Sequence, residues 1–221
     1  MTKKLSLHCL ISAGPTREWI DPVRFISNPS TGKMGFSLAC AAKDRGMRVT
    51  LVTGPVQLSR PEGVSVIEVE TALEMQEAMD ACFEKANLTI MSAAVSDHRP
   101  NLRSNKKINK HEFPCSLSLT KNPDILHCLG SKKKQDQVLV GFAAESHEVV
   151  ESATKKLKQK NLDWIVANDI SNKKIGFSSD QNEVYLIGAK GICRQINLAD
   201  KGVIAREILD AIYPTWLEKA H

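Results

Sequence analysis

Apolar residues follow two rhythms along this chain. Short runs rich in them lie at residues 5–11, 48–53, 64–69, 88–92, 137–142 and 164–167. Runs of this length and composition predict buried strands. Between them, apolar residues recur at helical spacing. Met34, Leu38, Ala41 and Ala42 share a face within 33–45, and 72–83 is amphipathic, with Leu73, Met75, Ala78, Met79, Cys82 and Phe83 apolar. Residues 148–160 and 200–212 read as two more helices. Residues 183–187 and 192–196 read as a hairpin around Gly188 to Gly191. Strands alternating with helices argue for a mostly parallel sheet covered on both faces. The expected fold is therefore α/β, Rossmann-like and doubly wound, with a C-terminal β-hairpin, in one domain spanning 1–221.

Two stretches break the alternation. Residues 18–32 read as a loop running into the first helix, with Asn28, Pro29, Ser30, Thr31 and Gly32 forming five turn-type residues in a row. Ser30 or Thr31 is placed to cap that helix, leaving its first amides free. Such amides attract phosphate or carboxylate, and Lys33 adds a positive charge. The same composition also serves an ordinary capped helix after a surface loop. Residues 98–112 are polar, basic and nearly free of apolar side chains. Their length suits a mobile lid over a site, and equally a solvated charge run. An exposed strand is expected at 113–119. Asn122 and Pro123 are placed to start a short helix, as cap and first helical residue.

In a doubly wound sheet, ligands bind beyond the carboxyl ends of the strands. Ser12-Ala13-Gly14 and Ala93-Ala94-Val95-Ser96-Asp97 fall there, and their small residues permit close approach to the backbone.

Charge changes the picture modestly. Thirty basic against 25 acidic residues give a formal net charge of +5. That suits an anionic small molecule; no basic stripe interleaved with aromatics points to nucleic acid. No apolar run approaches membrane-span length, and residues 1–4 lead into a strand rather than a signal-type segment. Six cysteines lie at 9, 40, 82, 115, 128 and 193 with no CxxC pair. They read as reduced thiols of a cytoplasmic protein. The six histidines lack a zinc-ligand spacing such as HExxH.

Several separated motifs then coincide with one family. They are Ala13-Gly14-Pro15-Thr16-Arg17-Glu18, Asp21 to Asn28, Gly32-Lys33-Met34-Gly35, Ala93 to Asp97, Lys107-Ile108-Asn109-Lys110, Lys121 to Ile125, Val140 to Glu145, Asn168-Asp169, and Gly176-Phe177 with Asp180, Asn182 and Glu183. In this order they resemble phosphopantothenate–cysteine ligase, of the bacterial CTP-dependent type. Bacterial members are commonly fused behind a flavin-dependent decarboxylase. Here the chain begins at the ligase's own first strand, which implies a stand-alone ligase. A separate phosphopantothenoyl-cysteine decarboxylase is a candidate partner.

The resemblance implies two steps in coenzyme A biosynthesis. The carboxylate of 4′-phosphopantothenate attacks the α-phosphorus of CTP, giving a phosphopantothenoyl-cytidylate and pyrophosphate. The amine of cysteine then displaces CMP. Magnesium (Mg2+) is expected on the phosphates, with its protein ligands unassigned. The resemblance makes Asn28 and Lys107 catalytic, Asn28 by hydrogen bonding the acyl group and Lys107 by reaching the triphosphate from the lid. Arg24, Asn28, Ala93, Ala94 and Asp97 would hold the acid substrate. Met91, Ser92, Ala93, Asp97, Lys107, Pro123, Asp124, Ile125, Leu126, Phe142, Lys156 and Lys160 would hold the nucleotide. Family members are homodimers, and Arg24 matches an arginine supplied across the dimer. Two departures stand out: Pro29 replaces a basic residue or histidine, and Asn109 replaces a lid lysine. A nicotinamide-binding oxidoreductase of the same topology is the alternative, though no GxGxxG follows the first strand. A non-catalytic nucleotide binder is a third reading.

Overall fold

The computed structural model describes residues 7–169 and 179–219. Parts of two expectations lie outside these residues: the start of the first strand, and the Gly176-Phe177 motif.

An eight-stranded sheet runs through the molecule. It is built from β1 (His8–Ala13), β4 (Arg48–Thr53), β5 (Ser65–Glu68), β6 (Leu88–Met91), β9 (Val138–Glu145), β10 (Trp164–Asp169), β11 (Gln181–Gly188) and β12 (Cys193–Asp200). Their order is β12-β11-β10-β9-β6-β1-β4-β5. The six strands from β9, β10 and β6 through β5 are parallel, and β11 and β12 pair antiparallel at one edge. The chain winds from β1 outward to β5, then crosses back to lay β6 on the other side of β1. The strand order therefore reverses between β1 and β6, where a crevice opens at their carboxyl ends.

Alternation along each strand divides the core between two faces. On one face Cys9, Ile11 and Ala13 pack beneath α1 (Lys33–Asp44) and α5 (Lys201–Lys219). On the other, Leu10 and Leu139 pack beneath α2 (Ala72–Phe83), α3 (Ile125–Lys132) and α4 (Val149–Gln159). Met75 and Met79 of α2 are fully buried, each worth roughly 1.5–3 kcal/mol of burial. The turn before α2 is a capping box: Thr71 accepts from the amide of Glu74, and the Glu74 carboxylate returns the contact. No helix among the described residues is long and apolar enough to cross a membrane.

Four local expectations are corrected. The stretch expected to be loop from 18 to 32 contains a hairpin, β2 (Arg17–Asp21) with β3 (Arg24–Ser27). Its inward face is partly polar: Glu18 and Asp21 are buried, with Glu18 accepting the amide of Ala72 at the start of α2. Polar residues on a buried face invert the usual strand signal.

The second correction concerns the basic loop. Its first residues form β7 (His98–Pro100), paired with β8 (Leu119–Lys121), while 113–118 form no strand. Third, α3 is capped by Asp124, whose carboxylate accepts the amide of His127, not by Asn122. Fourth, α5 continues past Ile212 to Lys219 despite Pro214. Proline removes one helix hydrogen bond, but Trp216 is buried and Trp164 Nε1 donates to Thr215 at 3.0 Å.

Candidate functional site

The loops that follow β1 and β6 are stitched together. Ala94 donates its amide to Gly14 at 2.9 Å, Ser96 donates its own to the Thr16 hydroxyl at 3.0 Å, and Ser92 Oγ donates to the Ser12 carbonyl at 2.6 Å. Helix α1 starts hard against this junction. A Cβ on Gly35 would sit 2.4 Å from Ala13 Cβ and 2.8 Å from Ser92 Oγ, so only glycine permits that approach. Gly32 caps the helix in a left-handed conformation, φ 77°, without any side-chain cap. This corrects the expected Ser30 or Thr31 cap; Ser30 Oγ instead accepts the amide of Gly32 itself.

Two adjoining cavities open here. The first, about 330 Å3, runs from Asn28 and the 30–35 segment along Ser92, Ala93 and Ala94 to Lys156, Asn168, Asn182 and Lys201. The second, about 200 Å3, is walled by Met91, Ser96, Asn122, Pro123, Asp124, Ile125, Leu126 and Lys160. Ala93, Val95, Asp97 and Phe142 line both, so they form the partition.

Most expected site residues therefore meet in one place. Asn28, Ser92, Ala93, Ala94, Asp97, Phe142 and Lys156 line the first cavity; Met91, Ala93, Asp97, Pro123, Asp124, Ile125, Leu126, Phe142 and Lys160 line the second. Arg24 and Lys107 line neither. Arg24 donates to Asp21 at 2.9 Å and to the Ile108 carbonyl at 3.3 Å, and stacks over Phe113 at 4.2 Å. Lys107, exposed, neighbours Ile108, whose amide is held by Asp21 at 3.3 Å. Both residues thus belong to a unit in which the basic loop is docked on the β2–β3 hairpin. Desolvation pushes the Asp21 carboxyl up, but the amides of Val23, Ile108 and Arg24 and the Arg24 charge outweigh it and hold it below the ordinary value.

Asn28 is held by the loop after β6. Its Nδ2 donates to the carbonyls of Ala94 at 3.2 Å and Val95 at 3.1 Å. Both amide hydrogens are spent, so donation to an acyl group requires one of these bonds to open.

The cations at the site rest on carboxylates. Lys156 holds Glu145 at 2.6 Å, Lys160 holds Asp124 at 2.8 Å, and Lys33 pairs with Asp180. Desolvation raises the Asp124 carboxyl, yet the Lys160 ammonium and the His127 amide win and leave it below its usual range. Asn168, Asn182 and Lys201 were not expected as cavity residues. Asn168 and Asn182 belong to family-like motifs without an assigned role, and nothing in the sequence distinguishes Lys201 from a solvated surface lysine.

Among the described residues no cluster of three or more His, Cys, Asp or Glu could hold a metal. The oxygen donors lining the first cavity include the Asp97 carboxylate, the hydroxyls of Ser30, Thr31 and Ser92, and amide oxygens such as Asn168 Oδ1, which is buried with no partner among the described residues. That set fits magnesium carried in on phosphate oxygens and needing few protein ligands.

Residues 5–215 match the family described as DFP, DNA/pantothenate metabolism flavoprotein C-terminal domain. The chain is 45% identical over 206 residues to the coenzyme A biosynthesis bifunctional protein CoaBC of Bacillus subtilis, covering 93% of this chain and 50% of that protein. Against the CoaBC of Escherichia coli it is 43% identical over 216 residues, covering 96% and 53%. The chain thus spans about half the length of the curated relatives it matches. It superimposes on the crystal structure of the C-terminal domain of a CoaBC with a TM-score of 0.83 and 39% identity, covering 96% of each chain.

Proposed function

Since the chain belongs to the DNA/pantothenate metabolism flavoprotein C-terminal domain family, we propose that it joins 4′-phosphopantothenate to cysteine at the expense of CTP. The observation that carries this reading is the partition: one cavity suited to a base shares a wall with one suited to phosphate and carboxylate. A nucleotide whose base sits behind that wall and whose phosphates pass it meets the acid in the first cavity.

The second cavity takes the cytosine. Phe142 and Leu126 supply apolar surface, and the backbone of 123–126 supplies donors and acceptors. The ribose and α-phosphate then pass Asp97 into the first cavity, toward Lys156. The acid's arm lies along Ala93 and Ala94, whose small side chains leave the backbone accessible. Its carboxylate attacks the α-phosphorus, a P–O bond forms, and the bond to pyrophosphate breaks. The amine of cysteine next attacks the acyl carbon and CMP departs, with the amine's proton lost to solvent.

Substrates carrying roughly seven negative charges between them repel as they approach. Lys33, Lys156 and the N-terminus of α1 supply positive potential against that repulsion, and positioning does most of the rest. Magnesium, when bound, neutralises phosphate charge. Asn28 swings one amide hydrogen from Ala94 or Val95 to the acyl oxygen as charge develops there. Arg24 lines neither of this chain's two cavities, which suits an arginine that serves the neighbouring subunit of a homodimer and grips the 4′-phosphate. Lys107 reaches the triphosphate when the basic loop leaves the hairpin.

The test is direct. Pure protein is incubated with 4′-phosphopantothenate, cysteine, magnesium and either CTP or ATP, and the nucleotide products are identified. CMP and pyrophosphate in equal amounts are expected; no nucleotide turnover, or sustained CMP release independent of cysteine, refutes the reading.

A further inference from the structure

Asn122 lines the second cavity but does not cap α3. Its side-chain amide is used sideways instead. Nδ2 donates to the Ser96 carbonyl at 2.8 Å, and Oδ1 accepts from Arg99 Nη1 at 2.8 Å. Its backbone amide donates to the Asp97 carbonyl, also at 2.8 Å. One residue thus holds two successive carbonyls of the loop after β6. Arg99 Nη1 donates in addition to the Lys121 carbonyl at 2.9 Å, which fixes the guanidinium on the same segment.

The placement says what this strap does. Asp97 directly precedes β7 and Asn122 directly follows β8, and those strands pair with His98 opposite Lys121. The two segments leaving that pair both wall the second cavity, one with Ser96 and Asp97, the other with Pro123, Asp124, Ile125 and Leu126. The first is anchored to the sheet end, because the Ser96 amide is held by the Thr16 hydroxyl at 3.0 Å. Asn122 then ties the second to the first. The space between them is about 200 Å3, below the roughly 300–1,000 Å3 usual for ligand pockets. A single-ring base needs less of that room than a two-ring base, so the spacing of the segments bears on which base enters.

We propose that Asn122 is a positioning residue that sets the width of the base cavity and thereby favours a pyrimidine over a purine nucleotide. Arg99 keeps its amide in the working orientation. An amide is required because one end must donate to a carbonyl while the other accepts from a guanidinium. A carboxylate of the same shape would set an oxygen against the Ser96 carbonyl. This inference rests on the ligase reading, with the base in the second cavity, and its test separates the two.

Ligation is followed by pyrophosphate release with CTP and with ATP, on the full chain as wild type, Asn122→Ala, Asn122→Asp, Arg99→Leu and Arg99→Lys. Both Asn122 variants are expected to raise KM for CTP about tenfold and to shrink the preference for CTP over ATP in kcat/KM by a similar factor. Their kcat and KM for cysteine stay within a few-fold of wild type. Arg99→Leu moves the preference the same way by less, and Arg99→Lys, which keeps a donor, restores most of it. Should the Asn122 variants lose cooperative unfolding, the contrast between Arg99→Leu and Arg99→Lys decides. An Asn122→Asp variant that matches wild type shows a space-filling role and overturns the proposal. So do KM values that rise equally for CTP and ATP, or a wild type that uses both nucleotides equally; each leaves the ligase reading intact. Wild-type protein that turns over neither nucleotide overturns both.

Discussion

The carboxyl ends of the sheet and the hairpin carrying the basic loop do different work with different materials. At the sheet ends, position comes from the backbone: Ala93, Ala94, Gly32 and Gly35 contribute almost no side chain, and strands packed on both faces hold them. In the hairpin and loop, position comes from one buried carboxylate. Asp21 accepts the amides of Val23, Arg24 and Ile108 together with the Arg24 guanidinium. The first arrangement resists deformation, because moving it disrupts core packing. The second can be released by breaking a handful of hydrogen bonds, as a segment that must open and close requires.

The sharpest way to break this contrast is at Asn28, which ties the hairpin's end to the sheet end. Asn28→Ala is expected to lower ligation by at least about a hundredfold, the scale set by losing one donor at a developing charge. Pyrophosphate release is the assay, with CTP affinity largely preserved. Activity within a few-fold of wild type would show that the amide only holds Ala94 and Val95. Next in size, Gly35→Ala should cost about 1–3 kcal/mol of stability in urea unfolding, since the added methyl meets Ala13 Cβ. An unchanged midpoint would mean that α1 is free to slide away from the sheet end.

Asp21→Asn addresses the other region. It should leave the sheet intact and speed proteolysis within 101–118 by about tenfold. The Asp21 pKa is depressed in the folded protein. Its contribution is therefore full above the ordinary carboxylate value, and it is lost as pH falls through that value toward the folded one. Loop protection in wild type should fade below about pH 4, and Asp21→Asn should abolish that pH dependence. Protection unchanged by acid would remove Asp21 from its role as latch. The smallest effect is expected from Lys160→Gln, a few-fold weaker CTP binding, because that lysine is partly solvated and already pairs with Asp124.

The same contrast explains what was readable in the sequence. Strands β4, β6 and β10 and helix α2 announce themselves because their buried positions are apolar and follow one period. The β2–β3 hairpin does not, because its buried positions include Glu18 and Asp21. Helix α5 runs past Ile212 and through Pro214, a residue type that ordinarily stops a helix, and the packing of Trp216 that overrides it is tertiary. Motifs quoted from the sequence brought Asn28, Ala93, Asp97, Phe142 and Lys160 to adjoining cavities. They left Lys201 unnoticed, since a lysine's burial depends on elements far away in the chain. Lys107 and Arg24 carry the family pattern but sit on the hairpin–loop unit, where sequence alone gives no orientation.

The central claim is that a carboxylate meets the nucleotide's α-phosphorus in the first cavity, beside the partition formed by Ala93, Val95, Asp97 and Phe142 that sets the base apart. It is tested most directly by following oxygen. With 4′-phosphopantothenate carrying oxygen-18 in its carboxylate, the account predicts that one labelled oxygen appears in the CMP released. Label found instead in inorganic phosphate or pyrophosphate, or retained wholly in the amide product's acyl group and solvent, would contradict it.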